Sequence, residues 1–201
     1  MDLDTSRLRV RELTPADLNA VHAVHHPGVA MNDNICAELG RWLEWTVLGY
    51  EQYRRLYQPP YGEYGIVLKG TGELVGLVGL VPSLMPFALV PSYAVGPGQP
   101  SGSAGHPYSL AEVGLFWAVA DVHRRNGYAA EAGAALVDFM FAEWHLQRVV
   151  ATTEHTNTAS VGVMRKLGMR IDRNPGAAPF FLQVLGVLDN PRGEPEWPAS
   201  A

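Results

Sequence analysis

At 201 residues the chain is long enough for one sizeable core and short for two independent ones. Hydrophobic residues make up 47% and charged residues 17%, the balance of a folded protein rather than a disordered or fibrous one. Lys plus Arg number 15 against 20 Asp plus Glu, a formal net charge of -5 with no long basic run, so nucleic acid is not an expected partner.

Residues 1–11 alternate charged and apolar side chains and lack the apolar core of a secretion signal. Within 7–13, Leu8 and Val10 fall on one face and Arg7, Arg9 and Arg11 on the other, the period of a half-buried strand. Thr14 then suits an N-cap, Pro15 the first helical position and Asp17 the positive end of a helix, with Leu18 and Val21 following at helical spacing. A second helix is predicted over 35–57, where Leu39, Trp42 and Leu43 recur at three- and four-residue steps and Pro59 and Pro60 end the run. It carries Cys36, the only cysteine, so no intrachain disulfide can form, no Cys/His cluster offers a metal site, and a reducing cytoplasm is the expected location.

Residues 65–69 and 73–81 read as a hairpin around Lys69-Gly70-Thr71-Gly72. The apolar stretch near 74–80 falls far short of the ~20 residues that cross a bilayer, so no membrane partner is expected. Residues 82–107 hold Pro82, Pro86, Pro91, Pro97, Pro100 and Pro107 with glycines between them, the composition of a long loop insertion. An apolar run with one early carboxylate, Glu112, predicts a buried central strand over 111–119. A polar turn over 123–127 leads into a helix with Val137, Met140, Phe141 and Trp144 on one face. A strand over 146–153 follows, then a helix capped by Asn157, burying Val163, Met164 and Leu167 and stopped by Gly168. Strands over 169–173 and 180–188 close the pattern, with a frayed tail over 190–201. The order predicts one domain over 1–201, a mixed α/β sheet with helices on both faces.

The segment from Val119 to Glu131 carries the clearest chemistry. A strand ends in a loop whose N–H groups lead straight into a helix N-terminus, which can hold a phosphate without a large basic patch. Gly127 permits close backbone approach, Ala129 and Ala130 keep the first turn free of bulk, and Arg124 and Arg125 can add charge-assisted contacts. A solvated strand-to-helix turn explains the same residues.

Arg124-x-x-Gly127-x-Ala129 resembles the Q/R-x-x-G-x-G/A pyrophosphate loop of the GCN5-related N-acetyltransferases, placed after the fourth predicted strand. Asn157-x-x-Ser160, followed by Lys166-Leu167-Gly168-Met169, is similar to that family's N-x-x-S and K-L-G-F signature, and two motifs in order are more specific than either alone. The opening Arg7-Leu8-x-x-Arg11-x-Leu13 resembles the ribosomal-protein alanine acetyltransferase branch. The resemblance implies a mostly antiparallel seven-stranded sheet with a splay between strands four and five, and acetyl-CoA as cosubstrate without a metal. It further implies that the Val119 backbone meets the pantetheine arm, that Arg124, Arg125, Asn126, Gly127, Tyr128 and Ala129 hold the pyrophosphate, and that Asn157 lies near the thioester. A plain N-cap accounts for Asn157 as well.

The family often has a tyrosine two residues before the lysine, placed to protonate the leaving thiolate; Met164 stands there. Ser160 is the substitute that the branch implies, against the alternative of a helix serine bonding back to a carbonyl. An attacking amine must first lose a proton, and Glu112 resembles the branch's glutamate for that task, with an exposed strand-end charge as the rival explanation. Glu154 and His155 are second choices, and His106 and Tyr108 are candidates to face the acceptor. His22, His25 and His26 lack the acidic partner of a metal site. Trp42, Trp45, Tyr50, Tyr53 and Tyr57 read first as packing, although the family's first two helices wall its acceptor site. The expected acceptor is an amine, at a peptide N-terminus or on a small molecule, with residues 82–107 as a candidate lid and homodimer contact. A CoA-binding sensor or interaction module without turnover shares the same loop.

Overall fold

The structure, a computed structural model, describes residues 1–90, 93 and 109–191. It divides into two compact units, Met1–Val81 with Leu115–Leu136, and Pro82–Gly114 with Val137–Ala201 in its described part.

In the first unit β1 (Asp2–Asp4), β2 (Leu8–Glu12), β3 (Gly62–Leu68) and the first part of β4 (Leu74–Met85), up to Val81, pair antiparallel in chain order. Leu8 and Val10 are fully buried while Arg9 faces water, so the alternation read from the sequence is the alternation of the strand. The hairpin closes as predicted: Leu68 N donates to Glu73 O and Gly72 N to Leu68 O, each at 2.8 Å, with Gly72 at φ 75°. A short turn, Pro15–Asp17, precedes α1 (Leu18–His25); Thr14 N donates to Asp17 Oδ2 at 2.7 Å, and Arg11 grips the same carboxylate with two bonds of 2.8 Å. α2 (Asp33–Arg55) starts two residues earlier than expected because the Asn32 side chain accepts from Asn34 N and Ile35 N. Tyr50 fixes α2 to the sheet, accepting from Leu13 N at 3.1 Å and donating to Glu63 O.

In the second unit the first half of β5 (Leu110–Val119), up to Gly114, runs parallel to β6 (Arg148–Thr153), with Gly114 opposite Val150 as the register pair. β8 (Val184–Asp189) pairs antiparallel with β6 on one side and with β7 (Arg170–Arg173) on the other. α4 (Thr158–Lys166) ends at Gly168, whose φ of 79° suits a left-handed stop. Val161 and Met164 form its buried side, with Val163 and Leu167 half-buried. α3 (Tyr128–Glu143) begins in the first unit and ends in the second, burying Val137, Met140 and Phe141, while Trp144 is half-buried just past its end.

The fold class is the expected one, α/β with a mostly antiparallel mixed sheet, but among the described residues it has eight strands rather than seven. The extra strand, β1, is three residues with no apolar period to read; it adds to the β2 edge, where Asp2 pairs with Arg9. The last predicted strand is a short turn, Phe180–Leu182, followed by β8. The loop expected over 82–107 also needs correction at its start. β4 continues through Pro82 to Met85, a turn follows at Phe87–Leu89, and Phe87, Val90 and Tyr93 join Val150, Leu182, Leu185 and Val187 in one buried cluster. Prolines at sparse intervals do not prevent burial of the apolar residues between them. Residues 91, 92 and 94–108, with His106 and Tyr108 and most of the proposed lid, lie outside the described residues, as does 192–201. Among the described residues no helix is long and apolar enough to cross a membrane.

Candidate active site

The helix-opening loop belongs to the first unit. Ala120 N donates to Val75 O at 3.0 Å, the chain turns through Asp121–His123, and Glu131 N donates to Gly127 O at 3.0 Å as α3 begins. N–H groups of the first helical turn have no intrahelical acceptor, and the dipole makes that end positive. Gly127 sits at φ 83°, where a Cβ is disfavoured, and Arg125 is held at φ 65°. The Asn126 amide donates to His123 O at 3.0 Å and Arg124 O at 3.3 Å, so its side chain is committed to shaping the loop. Arg124 folds back likewise, pairing with Asp121 at 2.7 Å and donating from Nε to Val119 O at 3.3 Å. Among the described residues Arg125 is exposed and has no carboxylate at ion-pair distance, which leaves its charge available to an anion. Ala129 is buried and Tyr128 half-buried under the Arg7 guanidinium, 5.0 Å from the ring centroid.

Sequence reasoning missed what anchors this loop. Glu131 receives Thr5 Oγ1, Ser6 Oγ at 3.2 Å, Arg7 N at 3.1 Å and Arg7 Nε at 2.7 Å. Burial alone would raise the Glu131 carboxyl, but hydrogen bonds from Thr5 and Arg7 outweigh it and hold the group below the usual carboxylate range. Partners 124 to 126 positions away leave no local signal; an acidic residue in a first helical turn is read as a dipole contact and no more.

Glu112, Asn157 and Ser160 belong to the second unit. The parallel register Gly114–Val150 sets Glu112 beside Arg148, since each lies two residues earlier on its strand. Glu112 Oε1 accepts from Arg148 Nε at 2.9 Å and Nη2 at 2.7 Å and from the Tyr93 hydroxyl, and the Arg148 guanidinium lies 5.1 Å from the Tyr93 ring centroid. Burial, and then the bond to Glu112, push the Tyr93 phenol above its ordinary value. The Glu112 side chain is only 9% exposed, so it is not the solvated strand-end charge. Neither Tyr93 nor Arg148 was found from sequence, because the signal is a register between distant strands.

Asn157 Oδ1 accepts from Ser160 N at 3.0 Å, capping α4 and bringing the two motif residues together. Met164 is 1% exposed, and a Cβ on Gly186 of β8 would lie 3.1 Å from its sulfur, so the position where the family often has tyrosine is core here. Glu154 and His155 are exposed; His155 N donates to Gln183 Oε1 at 2.8 Å, and Arg173 Nη1 lies 3.4 Å from His155 Nδ1. In the first unit His22 is buried and stacks on His26, while His25 reaches Glu63 at 3.2 Å and Trp42 edge-on. Tyr50 is buried structure, Trp42 and Tyr53 are half-buried, and Trp45 and Tyr57 are exposed. Among the described residues no group of three or more His, Cys, Asp or Glu is arranged to hold a metal ion.

Residues 7–170 match the sequence profile of the Acetyltransferase (GNAT) domain. The uncharacterized Bacillus subtilis (strain 168) N-acetyltransferase YoaA is 25% identical over 173 residues, 84% of this chain and 82% of its own. Another from the same organism, YnaD, is 39% identical over 65 residues, and that match spans 32% of this chain and about a third, 35%, of YnaD. Among solved structures, an acetyltransferase from Agrobacterium tumefaciens str. C58 aligns with TM-score 0.61 at 20% identity over 94% of both chains. A ribosomal-protein-S5-alanine acetyltransferase from Vibrio fischeri aligns with TM-score 0.60 at 14% identity over 97% of this chain and 100% of its own.

Proposed function

This chain belongs to the GNAT acetyltransferases, and from that premise we propose that it transfers the acetyl group of acetyl-CoA to a primary amine by direct attack. The observation that carries the reading is the loop into α3. It offers backbone N–H groups at a helix N-terminus, a Gly127 at positive φ that lets an anion approach, and an Arg125 charge with no carboxylate partner among the described residues. These features fit a pyrophosphate, held by Arg125 and the N–H groups around Gly127, Tyr128 and Ala129. Arg124 and Asn126 serve by shaping the loop, and Val119 contributes backbone to the pantetheine arm.

The amine must be neutral to attack. An α-amino group, with a pKa of about 7.7–8.0, is partly neutral near pH 7.5, whereas a lysine at ~10.4 is almost wholly charged. We assign proton removal to Glu112 Oε2, since Oε1 is taken up by Arg148 and Tyr93. The new N–C bond replaces the C–S bond, and the proton that the nitrogen sheds as the amide forms is relayed through the Ser160 hydroxyl to the departing thiolate, so that Ser160 ends as the neutral alcohol it began as. Asn157 keeps its cap and orients Ser160 through that residue's N–H. The acceptor is an amine of a peptide N-terminus or a small molecule; the Vibrio fischeri ribosomal-protein-S5-alanine acetyltransferase is the precedent in fold for a polypeptide.

A CoA-binding module without turnover is the second reading, favoured by the burial of Met164 where the family often has its acid. Thermal unfolding with acetyl-CoA and assay of thiol release separate the two. Acetyl-CoA at a hundredfold its Kd should stabilise the protein by about 2.7 kcal/mol. Thiol release with peptide or small amines supports the transferase, and stabilisation without release under any acceptor supports the binding module.

A further inference from the structure

Arg7, the first residue of the opening motif, has no part in the proposed transfer, yet it stands at the rim of the loop into α3. Among the described residues, and apart from Gly127's own chain neighbours, Arg7 Nη2 is the nearest atom to the open side of Gly127, 3.6 Å from where a Cβ would lie. The guanidinium covers the Tyr128 ring, 5.0 Å from its centroid. Arg7, Gly127 and Tyr128 all belong to the first unit. The Arg7 side chain is 49% exposed, and a long cation in that position would ordinarily sample many rotamers. This one is fixed. Glu131 Oε2 accepts from Arg7 Nε at 2.7 Å and from Nη2 at 2.6 Å, Arg7 N donates to Oε1 at 3.1 Å, and Arg7 O accepts from Lys69 N at 3.0 Å.

That grip leaves part of the guanidinium unused: among the described residues Nη1 has no hydrogen-bond or ion-pair partner, so its two N–H groups are open to a ligand. Glu131 does not repel an anion here, since Thr5 and Ser6 hydroxyls and Arg7 already occupy its oxygens. A guanidinium immobilised beside a helix N-terminus suits a phosphate, because little side-chain entropy remains to be lost on binding. In the proposed transfer Arg125 and the loop N–H groups take the pyrophosphate. Coenzyme A carries one further phosphate, the monoester at the ribose 3′ position, with a charge of about −1.5 to −2 at pH 7.

We infer that Arg7 is a cofactor-binding residue that holds the 3′-phosphate of coenzyme A, with Glu131 keeping the guanidinium in place. The inference rests on the acetyl-CoA reading and deepens it, since a residue more than a hundred positions before the loop completes the anion site.

The test titrates the full chain with coenzyme A and with 3′-dephospho-coenzyme A by calorimetry. The native protein should bind coenzyme A more tightly by about tenfold or more, the range one charge-assisted contact supplies. Arg7→Met should erase that difference by weakening coenzyme A alone, and an unchanged Kd for the dephospho form shows that the loop is intact. Arg7→Lys, a point charge without the fork, should fall between the two and carries the comparison where Arg7→Met does not fold. Arg7→Met/Glu131→Gln, which removes both charges, should bind coenzyme A no better than Arg7→Met. Equal affinity of the native protein for the two ligands overturns the inference. So does an equal loss of both in Arg7→Met, which makes Arg7 a support for the loop, or recovery in the double variant, which makes it a counter-charge to Glu131 only. Failure of the native protein to bind either ligand overturns the acetyl-CoA reading as well. Tight coenzyme A binding without thiol release from acetyl-CoA removes acetyl transfer and leaves the 3′-phosphate contact standing.

Discussion

Glu112 was legible in the sequence as a lone carboxylate in an apolar run, but its neighbours were not. Its partners Tyr93 and Arg148 stand 19 and 36 positions away, and only the parallel register of β5 and β6 brings the arginine alongside. That arrangement makes two separable predictions for Glu112→Gln. Thermal stability should fall, because Arg148, 29% exposed, keeps its charge and loses its counter-charge. If Oε2 removes the ammonium proton, kcat/KM at pH 7 should drop by ~10². The deficit should then narrow as pH rises through the 7.7–8.0 of an α-amino acceptor, which deprotonates unaided. A pH profile parallel to that of the native protein would leave Glu112 an anchor only. Tyr93→Phe isolates the anchoring, and should lower the melting temperature without changing the shape of the profile. Asn157 stands at the other extreme of legibility, since an N-cap bonds to a group three residues away and local sequence suffices.

At the scale of elements, periodicity found β2, the β3–β4 hairpin, α2, α3 and α4, and failed where an element is short or where proline density misleads. β4 shows a constraint that hydropathy cannot. A Cβ on Gly79 would fall within contact distance of Gly62 O and 2.6 Å from Phe116 Cζ, so β4 has glycine there because neighbouring backbone fills the space. Gly79→Ala should therefore destabilise by about 1–3 kcal/mol or more through overpacking, visible as a lower melting temperature or loss of folded protein. Gly127 presents the opposite case. A Cβ there would meet nothing nearer than Arg7 Nη2 at 3.6 Å, so space is adequate and conformation is the restriction, at φ 83°. Gly127→Ala should cost about 1–2 kcal/mol of stability. Gly127→Asp should in addition abolish the acetyl-CoA thermal shift, because a carboxylate would face the pyrophosphate; a shift of normal size in that variant removes the loop from the cofactor site.

Over the whole molecule, two carboxylates join separate segments, Asp17 to Arg11 only 6 positions away and Glu131 to Arg7 124 positions away, and their ionisation makes folding depend on acidity. Asp17 and Glu131 are each pushed upward by burial and pulled down further by hydrogen bonds, Asp17 by Arg11 and Thr14, Glu131 by Thr5 and Arg7, so both lie below their ordinary values. For a group whose folded pKa is depressed, the stabilisation is fully present above its unfolded value, about 4 for a carboxylate, and is lost as pH falls through the lower folded value. Neither group contributes a slope between pH 5 and 8. At pH 7, replacing either with its amide removes charge-assisted bonds from a guanidinium that remains, at a cost of about 1–3 kcal/mol, each kcal/mol lowering the melting temperature of a chain this size by about 2–4 °C. Asp17→Asn/Glu131→Gln should therefore melt several degrees below the native protein at pH 7. The gap should stay constant down to about pH 5 and close progressively below about pH 4, where the native carboxyls take up protons and lose the same interactions. Melting curves of the two proteins from pH 3 to 8 check this directly. A gap that persists unchanged at pH 3 would mean that packing of the side chains, and not their charge, holds residues 5–7 to α3 and β2 to the turn before α1.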